Sequence, residues 1–300
     1  MKTFRIVILL TIGIMLTPGT PSSRSAVVFT DDTGTTLSLS SPARRVVPLY
    51  GAFLEMLMAI GAGDSIVART RADSVIPGAR HLPSVGTHMK PNLELIVSAK
   101  PDLVVLTTSQ KGRISEILHL EKLGIPVAAF NPTDFESIFS TMIRLGIATG
   151  HEHEARMKVE EMRTKLRTFG EIVQKSGRKY TAFFEVREQP LTAAGTDSIV
   201  NQILQAAGLE NIVKTPRKFI QFSVETLLSE DPDYYIIQKG PMNPNPSDPR
   251  SRPHIQRLKA VRENRVLIVD EYLFSRPGPS CVEAVGFLVE RIYGARESVK

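Results

Sequence analysis

The chain has 300 residues, of which 42% are hydrophobic and 23% charged, a balance that excludes a disordered chain and suffices for two domains of ordinary size. The formal charge is +6, and only +3 without Lys2, Arg5 and Arg24 of the first 25 residues; with no basic patch interleaved with aromatics, this excludes a nucleic-acid binder. Cys281 is the single cysteine, so an intrachain disulfide is excluded, and its expected role is that of a small buried residue on a helix.

The N-terminus reads as a secretory signal peptide over residues 1–25. Lys2 and Arg5 precede the apolar run Ile6 to Leu16, and small residues follow to Ala26. That run is too short to span a bilayer comfortably, and no cysteine follows it, so the mature protein is expected free rather than lipid-anchored in an exported compartment.

Val27 to Leu39 alternates around Asp31-Asp32-Thr33-Gly34 and predicts a hairpin. A strand over Arg45–Leu49 and a helix over Gly51–Ile60 follow, the helix stopped by Gly61-Ala62-Gly63. Short strands are expected at Ile66–Ala68 and Ser84–His88. Next come helix 94–100, strand 103–106, a helix near 114–122, strand 126–130 and helix 135–149. Residues 151–176 predict one long helix, because Ala155, Val159, Met162, Leu166, Phe169 and Val173 form one apolar stripe and the opposite face is charged; Gly177 ends it. Beyond it lie strand 181–186, helix 198–207, helix 225–230, strand 234–237, strand 266–269 and helix 282–293. The proline-rich stretch Gly240 to Pro253 reads as a surface loop.

One segment is written twice. Glu94 to Asp102 and Glu225 to Asp233 share Glu, Ser, Pro and Asp in register, each pair 131 positions apart, and each runs into an apolar strand. That period is too long for a solenoid. It implies two similar α/β lobes with mostly parallel sheets, residues 27–150 and 178–300, joined by one rigid helix over residues 151–177. A single stiff span resists wide hinge closure.

In order and spacing these pieces resemble the helical-backbone class of ABC-transporter substrate-binding proteins, which carry cobalamin, haem and ferric siderophores across the periplasm. The likeness covers the mature chain from Arg44-Arg45-Val46-Val47 to Tyr293. It is densest at Asn92 through Val104, at Leu123-Gly124-Ile125-Pro126-Val127, at Asn201-Gln202-Ile203-Leu204 with Gly208 to Ile212, and at Glu225 through Asp233. The resemblance implies a periplasmic, monomeric, non-catalytic protein without a cofactor of its own. It would deliver an anionic metal chelate to a dimeric inner-membrane permease and its ATPase. In the cobalamin-binding members one glutamate on each lobe meets permease arginines, and Glu94 and Glu225 occupy those positions. The alternative is that both are first-turn residues favoured by the helix dipole.

The resemblance also places the ligand between the lobes, against loops at strand ends. Tyr50, Arg69, Arg71, His88, Arg187 and Arg276 stand on such loops. Four converging arginines would match carboxylate, phosphate or oxyanion groups. Tyr50 packs, stacks on a flat ligand or coordinates a metal. His88 stands where cobalamin-binding relatives have a stacking tryptophan, and Thr87 where haem-binding relatives have a tyrosine. The chain has no tryptophan, which thins the aromatic cradle. A molybdate or tungstate binder would also suit the arginines. A free transition-metal site would need three or four ligands, and His151 and His153 point to different faces. No catalytic residues are assigned: serine-hydrolase, P-loop and zincin motifs are absent, and Cys281 lacks a nearby base.

Overall fold

The computed structural model describes residues 26–113 and 117–294. The signal-peptide reading, over residues 1–25, lies outside them. The chain folds as two α/β lobes bridged by a long helix, as the spacing implies.

The first lobe opens on the antiparallel hairpin β1 (Val27–Thr30) and β2 (Thr36–Leu39). Then follow β3 (Val46–Pro48), α1 (Gly51–Ala59), α2 (Leu93–Ser98), β4 (Leu103–Thr107), α3 (Thr108–Arg113), α4 (Ile117–Lys122), β5 (Val127–Phe130) and α5 (Phe135–Thr149). Strands β3, β4 and β5 form a parallel sheet in that order, with Val47 beside Val104 and Val104 beside Val127. Almost every residue of these strands is buried, because both faces are covered. Alternate residues divide between the faces. Val46, Leu103, Val105, Ala128 and Phe130 join the core that includes α1 and α5, whereas Val47, Val104, Leu106, Val127 and Ala129 pack with α2 and α4.

Helix α6 (Glu152–Ser176) is roughly 37 Å long at 1.5 Å per residue. Its stripe divides its contacts between the lobes. Ala155, Val159 and Met162 are buried, and Leu166, Phe169 and Val173 are half-buried against the same core. The helix packs on α5 and, in the second lobe, on α11 (defined below). Glycines permit the close approach. An ideal Cβ at Gly146 would stand 2.6 Å from that of Ala155, and one at Gly286 would stand 2.8 Å from the Phe169 ring.

The second lobe contains β6 (Tyr180–Arg187), β7 (Thr192–Ala194), α7 (Ile199–Ala206), β8 (Leu209–Asn211), β9 (Phe219–Gln221), α8 (Val224–Glu230), β10 (Tyr234–Lys239), α9 (Lys259–Arg262), β11 (Val266–Asp270), α10 (Glu271–Ser275) and α11 (Ser280–Tyr293). Strands β11, β10 and β6 run parallel, and β8 pairs in parallel with the start of β6; β7 and β9 extend the sheet antiparallel from the end of β6. This sheet is therefore mixed, and larger than its three-stranded counterpart. The short strands β7 to β9 have no apolar periodicity long enough to signal them.

The repeat is structural at its Pro-Asp end. Lys100 and Asp231 take matching left-handed conformations, φ 47° and 40°, before Pro101 and Pro232. Asp102 then accepts from the backbone N–H groups of Arg44 and Arg45, at 2.8 and 2.9 Å, and Asp233 accepts from that of Thr181, at 2.9 Å. Each aspartate fixes the start of the neighbouring strand, β3 or β6.

Three expectations need correction. Ile66–Ala68 and Ser84–His88 form only isolated bridges, Val46 with Ile66, Arg69 with Ser84 and Gly86 with Pro91, since the runs are too short for a ladder. Helix α3 was not expected, because Thr108 to Arg113 has no apolar periodicity. The loop after β10 is anchored rather than merely superficial. Glu185, fully buried, accepts from Arg252 at 2.5 Å, from Asn243 at 3.2 Å and from the Tyr235 hydroxyl, so no buried charge is left without a partner.

Gly208 combines φ +71° with an ideal Cβ position 2.3 Å from Val173 Cγ1 of α6. Replacing it with Ala should destabilise the protein by about 1–3 kcal/mol through overpacking and backbone strain. Urea unfolding is expected to show a lower midpoint at unchanged slope; an unchanged midpoint would show that α6 does not need this close approach.

Candidate functional site

A cavity of about 380 Å³ lies between the lobes. Tyr50, Asp73, His88 and Pro132 line it from the first lobe, and Ile199, Phe219, Met242, Tyr272 and Arg276 from the second. Strand ends deliver these side chains. Tyr50 follows β3 with extended backbone and caps α1; Tyr272 and Arg276 lie on and just after α10, which follows β11.

Tyr50 packs edge-on against Phe53, with ring centroids 5.8 Å apart, and lies 6.3 Å from the His88 ring. Burial pushes its phenol up to about 12 even though Arg276 opposes the shift. It therefore faces the cavity as a neutral hydroxyl. His88 is exposed at the rim, and its backbone is held from below. Gln110 donates to the carbonyls of His88, at 2.6 Å, and Leu49, at 3.0 Å, while its own oxygen accepts from Thr107 N–H at 2.7 Å. One buried amide thus ties together the loops that carry Tyr50 and His88. Nothing in the sequence around Gln110 signals this. Thr87 accepts from the Lys90 N–H at 3.0 Å and so supports a turn.

The four expected arginines do not converge. Arg69 is buried, and its guanidinium donates to the carbonyls of Ala79, Thr70 and Arg80 at 3.0, 3.0 and 3.3 Å. It shapes the loop and does not line the cavity. Arg71 and Arg187 are exposed and stand outside the lining. Only Arg276 reaches the cavity, and it is already paired. It bonds Glu55 at 3.1 Å, lies 3.6 Å from Asp73, and stacks 4.2 Å above the Tyr272 ring. Glu55 and Asp73, missed in the sequence, belong to the other lobe. Their signal is weak: Glu55 is one acidic residue inside the apolar run of α1.

The lining is accordingly mostly apolar, and its buried charged groups are already bonded. Glu271 accepts from the Met242 N–H at 2.7 Å, and burial raises its carboxyl above the ordinary range. Lys218 and Asp197 are exposed on the lining. Among the described residues, no three His, Cys, Asp or Glu side chains gather in a way that would hold a metal ion. Cys281 is fully buried, and burial pushes its thiol up to about 12. Glu94 and Glu225 both lie exposed in the first turns of α2 and α8, outside every ion pair among the described residues.

The profile of a family described as periplasmic binding protein matches residues 46–273. An uncharacterised ABC transporter substrate-binding lipoprotein of Bacillus subtilis (strain 168) is 27% identical over 273 residues, 89% of this chain and 85% of the relative. A vitamin B12-binding protein of Yersinia pestis (strain Pestoides F) is 26% identical over 196 residues, 65% of this chain and 69% of the relative. The structure of a periplasmic haem-binding protein of Pseudomonas aeruginosa superposes with a TM-score of 0.74 at 22% identity, over 84% of this chain and 94% of that one.

Burial raises the Glu55 carboxyl above its ordinary value, outweighing the hydrogen bond from Ser280 and the Arg276 charge. A raised carboxyl adds stability that is fully present below its unfolded value of about 4.5 and is lost as pH rises through the folded one. Relative to Glu55→Gln, the wild type should therefore lose stability from about pH 4.5 toward neutrality. Urea unfolding of both proteins across that range checks the sign; a parallel dependence would remove Glu55 as the source.

Proposed function

The chain belongs to the periplasmic binding protein family, and from that premise we propose that it is the exported solute-binding component of an ABC importer, taking a metal chelate of the cobamide, haem or ferric-siderophore type. The observation that carries this reading is the cleft itself. It is shared by two lobes on one stiff helix, it is lined mostly by apolar groups, and its volume of about 380 Å³ falls within the range of small-molecule pockets. Burial of apolar surface holds a ring-like ligand body there. Any acidic substituents of the ligand meet Lys218 and His88 at the rim, because Arg276 is neutralised within the wall. A small oxyanion fits less well, since the one arginine on the lining is already paired with carboxylates. The relatives are named as transport-associated binding proteins, which supports binding without turnover.

Delivery follows from the repeat. Within each copy the proline stops the helix and the aspartate anchors a strand, whereas Glu94 and Glu225 remain exposed. Two equivalent carboxylates on two lobes suit a two-fold permease, and such exposed charges orient docking more than they add affinity.

Protein purified from its own host should carry an unchanged chelate, seen by native mass spectrometry and visible absorbance. A colourless oxyanion in its place would overturn the ligand class.

The variant Glu94→Arg, Glu225→Arg should abolish uptake while ligand affinity stays within a factor of about two, because both positions are exposed and outside the cleft lining. Normal uptake by this variant would reduce the repeat to a feature of the fold.

A further inference from the structure

Arg276 is bound where the two lobes meet, by groups that do not belong to helix α6. One carboxylate oxygen of Glu55, on α1 of the first lobe, accepts from the Arg276 guanidinium of the second lobe at 3.1 Å. The other accepts from the Ser280 hydroxyl, at the first residue of α11, at 2.9 Å. The far side of the guanidinium faces Asp73 of the first lobe, 3.6 Å away, and Asp73 is held by the Thr70 hydroxyl at 2.6 Å. These groups are largely withdrawn from water: side-chain exposure is 10% for Arg276, 16% for Glu55 and 2% for Asp73.

The bridge side chains pack closely on two glycines. An ideal Cβ at Gly51 would stand 2.4 Å from Asp73 Oδ1 and 3.0 Å from Arg276 Cζ, and one at Gly278 would stand 3.0 Å from Glu55 Oε2. The bridge is also a partition. Arg276 and Tyr272 line the ligand cleft on one side and, on the other, a groove of about 680 Å³ that includes Glu55, Ile76 and Leu273.

We infer that Glu55, Arg276 and Ser280 form an inter-lobe latch, a second point of attachment beside α6, and that the cleft opens only when this bridge parts. A hinge held at one seam alone lets the lobes rock about it. A second attachment built from a buried ion pair removes that freedom, since separating the pair in a water-poor wall leaves two uncompensated charges. The other buried arginine pairs described, Arg252 with Glu185 and Glu188, lie within one lobe and cannot act on the distance between lobes. The inference concerns lobe motion alone and does not depend on which ligand the cleft takes.

The test is a distance distribution between spin labels at Lys90→Cys and Arg217→Cys, both exposed and one on each lobe. Cys281 is fully buried and stays unlabelled. The otherwise wild-type protein should give one narrow distribution. Arg276→Met should lengthen and broaden it by several ångströms, within the scale of hinge motions. Glu55→Gln, which keeps size and packing, should do the same to a smaller extent, and it decides the question alone if Arg276→Met does not fold. The control Lys259→Met removes an ion pair inside the second lobe, with Asp233, and should leave the distribution unchanged. A broad wild-type distribution, or a narrow one that neither bridge variant alters, would overturn the latch.

Discussion

The whole arrangement depends on one helix packed against two lobes at once. The stripe of α6 is buried on α5 at one end and on α11 at the other, so the inner faces of both sheets share one hydrophobic core. The outer faces have separate cores, one under α2 and α4 and the other under α8 and α9. This division makes each lobe a rigid unit and places the seam between them on a stiff rod. Ion pairs at the edge of the seam, Arg163 with Glu136 and Lys165 with Glu283, join the helix to one lobe each. They are exposed and add little stability individually; the apolar seam between them sets the geometry.

That geometry determines what the cleft offers a ligand. Strand ends from both sheets bring aromatic and aliphatic side chains to a common space, while the buried charges that arrive with them are satisfied locally. Arg69 bonds loop carbonyls, Arg276 bonds Glu55 and faces Asp73, and Glu271 bonds a backbone amide. A cavity whose buried charges are already paired offers a ligand shape and apolar surface first. The duplicated segment is the reverse case: its aspartates are engaged in holding strands, and its glutamates are left to solvent.

Much of this was legible beforehand. The 131-residue repeat and the apolar stripe of α6 depend on periodicity, which is local, so the lobes, the joining helix and the bounds of α5 follow from the residues alone. The positions of Tyr50, His88 and Arg276 at the cleft follow from the general rule that strand ends carry ligand contacts. The failures share a cause. Arg69, Arg71 and Arg187 also stand at strand ends, but whether a guanidinium reaches a ligand depends on which acceptors lie nearer. For Arg69 those acceptors are carbonyls about ten residues ahead. Gln110 was invisible for the same reason, since its partners Leu49 and His88 are distant in the chain.

By itself, then, the sequence determined the architecture: two α/β lobes, a stiff connector, duplicated helix starts with exposed glutamates, and a cysteine too isolated to do more than pack. Only the tertiary structure decided the electrostatics of the cleft. Apolar periodicity is written into neighbouring residues, because burial acts on every third, fourth or alternate side chain of one element. Pairing of charges is different. Glu55 and Arg276 are more than two hundred residues apart, and their contact exists only because α6 holds both lobes face to face.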